Sequence, residues 1–403
     1  MKKSFKIISI IIGSFVGAFI ALVLISAAIF SPEYLYRAIA NGESKVTDYE
    51  FFPSKAIEKS SHPYSYTYNL QDFLDSLSID YDSGGIAKSA SLLNLLEENN
   101  TSSMIVVHND AVIFEKYLNG YSKDSINTSF SSVKSLVSLL IGIGIEEGYI
   151  KSEDQPISDF IPEFKGSEFE SITIKNLLMM RSNIRYEEGL AWFTDDAKTY
   201  YMPDLRDLVL NHMTIDKEYS GQFHYNNYHP LILGIILERS TRENVADYFQ
   251  KKIWDKIGAE NDASWSLDSV KTGFEKMESG LNFKSIDYAK IGSMLLHEGK
   301  WNSQDIINKE WIDLSTIAPS SLAQSDIDSD FLKDKNVGYQ YMWYSFENDR
   351  GGHDFFASGK YGQYLYISPE NNVVIVRTGE STGEVKWWPG IFKQIASSVE
   401  DRT

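Results

Sequence analysis

The stretch SFSSVKSLVSLLIGIGIEEGYI, residues 129–150, decides the reading of this chain. Its long apolar run without proline reads as a largely buried helix beginning near Ser131. Ser131, Ser132, Val133 and Lys134 form an SxxK sequence, and no second one occurs. Residues three apart on a helix share a face, so the lysine amine can lie beside the serine hydroxyl. A serine at a helix start also presents its own N–H to an incoming oxyanion, where the helix dipole favours negative charge. That is the pattern of an activated nucleophile, although the same four letters also describe a plain helix start with a solvated lysine.

Working outward, MIVVHNDAVIFEKYL at 104–118 is two β-branched runs around Asn109 and Asp110, a hairpin signal. Near the carboxyl end, FFASGKYGQYLYI (355–367) and VVIVRT (373–378) are strand-like, with SPENN as the turn between them, and Val385 to Val399 reads as a closing helix. A helix-like stretch covers Ile86 to Glu98, and the middle of the chain to about Lys300 is mainly helical in pattern. Strands at both ends with helices between them imply one sheet built from the two ends, with the helical part inserted.

Two further elements bear on chemistry. Tyr225, Asn226 and Asn227 form a YxN sequence followed by the apolar, helical PLILGIILER. A tyrosine near a cation can act as a base or relay, and an asparagine can hold a substrate amide through donor and acceptor together. The bland alternative is a loop tyrosine in a chain with 24 of them. Ala357, Ser358 and Gly359 lie in a strand followed by Lys360, Tyr361 and Gly362. Glycine at 359 lets a substrate backbone approach, and the Lys360 N–H can supply a second oxyanion donor. A buried strand with small residues would read the same way. The literal KTG at Lys271 is a decoy, because it precedes a helical stretch with no strand partner behind it.

Composition narrows the classes. The chain has 403 residues, 43% of them hydrophobic, enough for a sizeable core. A net charge of -18 argues against nucleic acid. Cysteine is absent, so there is no thiolate nucleophile or thiolate metal site. The seven histidines include no HExxH, which disfavours a metallohydrolase. No metal and no cofactor is expected.

Ile7 to Phe30 carries no charge and follows Lys2, Lys3 and Lys6. As a helix it would run roughly 36 Å at about 1.5 Å per residue, enough to cross a hydrocarbon core. The lysines before it place the amino terminus in the cytoplasm and the rest outside. The expectation is therefore a single-pass cell-membrane protein with an extracytoplasmic catalytic domain, the alternative being secretion after cleavage near Ser26 to Ala28. The divisions read from the sequence are 1–30, cytoplasmic stub and transmembrane signal anchor; 31–84, linker and amino-terminal extension; and 85–403, the hydrolase domain.

In order along the chain, SxxK, YxN and small-Ser-Gly resemble the serine β-lactamase and penicillin-binding protein superfamily. The resemblance is to its class C-like branch, which includes esterases and 6-aminohexanoate-dimer hydrolases. ITIKNLLMMRSNIRY (172–186), WSLDSVKTGFEKMESGLN (265–282) and IDYAKIGSMLLHEGKW (286–301) are similar to the same branch. The resemblance implies an α/β (α+β) fold of the β-lactamase/transpeptidase type: an antiparallel sheet flanked by helices, with an all-helical subdomain and the site between them. It further implies Ser131 as nucleophile, Lys134 and Tyr225 sharing the proton transfers, Asn227 orienting the substrate, and Ser358 contacting it from the strand, with Gly359 and Lys360 alongside. Tyr186, Tyr200 and Tyr201 fall where this branch can line its cleft.

One departure bears on the substrate. Ala357 stands where β-lactamases and peptidases carry a lysine that helps to hold the substrate carboxylate. The expected substrate is thus a small ester or amide, or a peptide, cleaved by a serine hydrolase. The alternatives are a D-alanyl-D-alanine peptidase or β-lactamase-like enzyme, or a non-catalytic sensor of the penicillin-binding type.

Overall fold

A computed structural model describes residues 2–189, 191–317, 336–348 and 350–400. Both ends of the chain meet in an eight-stranded sheet. Across it lie Gly338–Gln340, Trp343–Glu347, His353–Gly359, Gln363–Ser368, Val373–Gly379, Thr101–His108, Ala111–Tyr117 and Thr67–Tyr68. The expected hairpin is there, and its turn residues Asn109 and Asp110 have φ of 48° and 61°. These are the left-handed angles that match the twist of paired strands and that Asn and Asp tolerate. Neighbours are antiparallel except at the edge, where Thr67–Tyr68 runs parallel to Ala111 and Val112.

Period-two alternation gives the sheet two apolar faces. Tyr364 and Tyr366 each pack on Phe392 of the closing helix, Trp388–Glu400, with ring centroids 5.4 Å apart. Leu365, between them in the strand, meets the helix Ser285–Leu296 at Gly292 on the other face. The helical subdomain is built around Tyr228–Thr241, which is buried along most of its length and packs against Val133–Glu146.

Three stretches differ from the sequence reading. Ile86 to Glu98 is not one helix: Ile86–Ser91 is a strand paired with Ser78–Ser83, and Ser91 then caps Leu92–Glu98 by accepting from the Asn94 N–H at 3.4 Å. A second, four-stranded sheet joins Ser54–Ile57, Ala263–Ser266, Leu281–Phe283 and Asn127–Thr128. Lastly, residues 31 to 52, within the stretch read as linker and amino-terminal extension, contribute a packed helix. The helix Pro32–Asn41 buries Tyr34, Leu35 and Ala38 with Phe52 and Tyr201.

The amino-terminal segment is helical from Lys2 to Ile29, and Ile8, Ile11, Phe15 and Phe19 are exposed on it. Counted over the described residues, no helix is long and apolar enough to cross a membrane. Within the span read from the sequence, the side chains of residues 7, 9, 23, 24 and 27–29 lie outside the described residues.

Candidate active site

The short strand Asn127–Thr128 delivers the chain to a tight turn, Phe130–Ser132, from which Val133–Glu146 continues as α-helix. Phe130 has φ of 43°, a costly angle for an aromatic residue and a mark of an over-determined turn. It sets Ser131 at the helix start, facing a cavity of about 370 Å³. Ser132 faces inward and is fully buried, donating to Ser129 O at 2.8 Å and accepting from the Tyr288 hydroxyl at 3.0 Å. Of the two adjacent serines, only Ser131 lines the cavity.

Lys134, one turn on, is 2% exposed. Its Nζ donates to Ser131 Oγ at 2.8 Å and to the main-chain oxygen of Glu278 at 3.0 Å. Glu278 is brought there by the second sheet, since it lies three residues before Leu281–Phe283, which pairs with Asn127–Thr128. Its carboxylate pairs with Lys276 at 2.9 Å, both side chains being 2% exposed. Burial lowers the pKa of Lys276, and Glu278 opposes that shift.

Tyr225 stands across the cleft with its ring 5.0 Å from Lys134 Nζ, a cation–π distance. Its hydroxyl bonds neither Ser131 nor Lys134. Asn226 is wholly buried and fixes this turn, donating to Ile184 O at 2.9 Å and accepting from the Tyr228 N–H at 2.8 Å. Asn227 faces the cavity. Its Nδ2 donates to the Tyr186 hydroxyl at 2.6 Å, and that hydroxyl donates in turn to Asp196. Because the single Tyr186 proton goes to the carboxylate, the asparagine must present its amide nitrogen there. Its Oδ1 is buried, with no partner among the described residues.

At the strand end, Lys360 lines the cavity, whereas Ser358 and Gly359 do not. Ser358 pairs across the sheet with Tyr364. Gly359 is needed for another reason than substrate approach: a Cβ there would lie 2.3 Å from Ser129 O and 3.1 Å from Ser132 N. The strand therefore abuts the Phe130–Ser132 turn and brings the Lys360 main chain beside it. Ala357 is fully buried. Cavity-lining residues that sequence reasoning passed over are Gly42, Glu43, Ser44, Glu188, Gly189, Asp196, Glu278 and Ser279. Tyr200 and Tyr201 do line the cavity, with hydroxyls that donate to Asp48 Oδ2 and Gly42 O, each at 2.9 Å.

Residues 94–386 match the beta-lactamase family. The chain belongs to that family. It is 26% identical over 325 residues to the 6-aminohexanoate-dimer hydrolase of Paenarthrobacter ureafaciens, a match that covers 75% of this chain and 79% of that protein. Among solved structures it resembles a candidate 6-aminohexanoate-dimer hydrolase from Bacillus anthracis, with a TM-score of 0.75, 24% identity and coverage of 89% and 94% of the two chains. A class C beta-lactamase mutant shares the fold at a TM-score of 0.58 and 13% identity, with coverage of 76% and 95%. This beta-lactamase family member is built as the three motifs imply, with a mixed rather than wholly antiparallel main sheet.

Proposed function

We propose that this beta-lactamase family member is a serine hydrolase that cleaves ester or amide bonds through an acyl-enzyme on Ser131. The observation that carries the reading is the 2.8 Å contact from Lys134 Nζ to Ser131 Oγ at the mouth of a cavity of substrate size. Ser131 Oγ attacks the carbonyl carbon, and its proton passes through the Lys134 and Tyr225 pair to the leaving alcohol or amine. Water then attacks the acyl-enzyme, gives its proton to the same pair and releases the acid. The N–H groups of Ser131 and Lys360 hold the oxyanion in both steps, and Asn227, which lines the cavity, orients the substrate.

A neutral ester or short amide fits this cleft better than a penicillin or a D-alanyl peptide, because buried Ala357 offers no cation. Labelling with a fluorophosphonate, followed by mass spectrometry, tests the nucleophile. The adduct is expected on Ser131, and an adduct on Ser132, or turnover undiminished in Ser131→Ala, would overturn the assignment.

The second part of the reading is a tether: Lys2–Ile29 sits in the cell membrane and holds the hydrolase outside. Its support is the apolar surface of that helix, with Trp192, a residue type enriched at membrane interfaces, donating to Ser26 Oγ at 3.0 Å. Carboxyl-terminal reporter fusions test the orientation. A reporter active only in the cytoplasm contradicts it.

A further inference from the structure

One wall of the cleft comes from the amino-terminal extension. Gly42, with φ of 63°, ends the helix Pro32–Asn41 and turns the chain so that Gly42, Glu43 and Ser44 line the same cavity as Ser131. This strap is held from several sides. Arg37 Nη1 donates to Asp268 O at 2.5 Å, the Tyr201 hydroxyl to Gly42 O at 2.9 Å, and the Tyr361 hydroxyl to Ser44 O at 2.6 Å.

From the strap, the Glu43 carboxylate pairs with Lys360 Nζ at 2.9 Å, and Ser44 Oγ accepts from the same ammonium at 3.1 Å. The charged side chains among the described lining residues are Glu43, Glu188, Asp196, Glu278 and Lys360. Four carboxylates therefore share the cavity with one lysine. An acyl group ending in a carboxylate would find one cation in that lining, already in contact with an anion, and two further carboxylates, Glu188 and Asp196, besides Glu278, which is paired with Lys276. Opposite charges a few ångströms apart hold each other, and like charges there repel, most strongly where the cleft excludes water.

We propose that Glu43 is a specificity-determining residue: it occupies Lys360 in place of a substrate carboxylate, so that the cleft accepts uncharged acyl groups and turns away anionic ones. The proposal rests on the reading of Ser131 as nucleophile and names a substrate preference of that site. It also gives the packed extension a role that the core motifs lack, since the strap lies outside the residues that match the family.

The experiment compares the full-length chain with Glu43→Gln and with Glu43→Gln/Lys360→Gln, using p-nitrophenyl butyrate as the neutral ester and p-nitrophenyl hemiglutarate as the anionic one. Glutamine at 360 keeps the main-chain N–H. In Glu43→Gln the ratio of kcat/KM for the anionic over the neutral ester is expected to rise about tenfold, the usual worth of freeing one charge-assisted hydrogen bond. Because the pair is partly exposed, the gain should shrink with added salt. The double variant should return the ratio to the wild-type value. Glu43→Thr removes the same charge and gives the same readout if the glutamine variant does not fold. An unchanged ratio in a variant that keeps the wild-type Tm overturns the proposal, and so does an equal loss of both activities, which would make the pair a support of the turn only. Failure of the underlying reading looks different. The wild type would then show no fluorophosphonate adduct on Ser131 and no turnover of the neutral ester, and the Glu43 assignment would fall with it.

Discussion

Lys134 Nζ bridges two parts of the chain, donating to Ser131 Oγ at 2.8 Å and to the Glu278 main-chain oxygen at 3.0 Å. The first contact is local to one helical turn. The second depends on the small sheet that aligns Leu281–Phe283 with Asn127–Thr128. The amine is thus aimed by tertiary structure. Lys134→Ala is expected to lower kcat on a neutral ester by about a hundredfold to ten-thousandfold, the usual range for removing a positioned proton-transfer group. Stopped-flow measurement of the acylation burst checks this, and a variant that acylates at the wild-type rate would remove Lys134 from the mechanism.

Asn227 lines the cavity and is held amide-nitrogen-first by the Tyr186 hydroxyl, which leaves its buried Oδ1 without a partner among the described residues. Tyr186→Phe deletes that acceptor and frees the amide to turn. Binding should suffer more than chemistry, so KM for an amide substrate is expected to rise several-fold while kcat changes less. A fall confined to kcat would instead place Tyr186 in the proton transfers.

The pH dependence of stability has a specific source in Glu275. Burial pushes its carboxyl up to about 7, and Oε2 has no partner among the described residues while Oε1 accepts from the Ala246 N–H at 3.0 Å. A carboxyl whose folded pKa lies above its unfolded value holds its proton more tightly when folded. Its stabilising contribution is present below the unfolded value near 4.5 and is lost as pH rises towards about 7. The loss is on the order of 3 kcal/mol at 1.36 kcal/mol per pKa unit. His229, held near 3 by burial, works in the opposite sense, losing stability as pH falls below its usual 6.5. The difference between variants isolates the glutamate: Glu275→Gln is expected to gain Tm relative to wild type at pH 8 and not at pH 5. Equal shifts at both values would count against the assignment.

The distance of each interaction along the chain explains what was legible beforehand. Ser131 and Lys134 lie one helical turn apart, so their spacing alone places them together, and Asn109 and Asp110 specify their turn by their own backbone preferences. The small sheet was not legible, because strands such as Asn127–Thr128 are too short for any alternation to show. Alternation says that Ser358 and Gly359 face opposite ways, but not which of them meets the cleft. Neither is among the residues lining the cavity, and the Phe130–Ser132 turn fills the space over Gly359. Glu43 and Ser44 carry no local signal at all. They look like polar loop residues, and their place in the cleft exists only through Lys360 and Tyr361, more than three hundred residues away.

The contact between Gly359 and the nucleophile turn gives the last expectation. A methyl at 359 would sit 2.3 Å from Ser129 O, 3.1 Å from Ser132 N and 3.2 Å from Gln363 Cβ. Two of these neighbours are main-chain atoms, and the turn they belong to is pinned by the Ser129 N–H to Leu281 O bond at 2.8 Å and by Ser132 beneath it. Neither side can yield by rotating a side chain. Gly359→Ala should therefore push the strand end away from the turn and separate the Ser131 and Lys360 N–H groups. Overpacking of this kind typically costs about 1 to 3 kcal/mol of stability, which a core of this size tolerates. Losing the alignment of one oxyanion donor costs about a hundredfold or more in kcat. The variant should fold with a lowered Tm and acylate at least a hundredfold more slowly, while KM for the neutral ester changes little. Thermal melts and burst kinetics on one preparation check both. Wild-type acylation in a folded Gly359→Ala variant would show that the strand end does not set the oxyanion site.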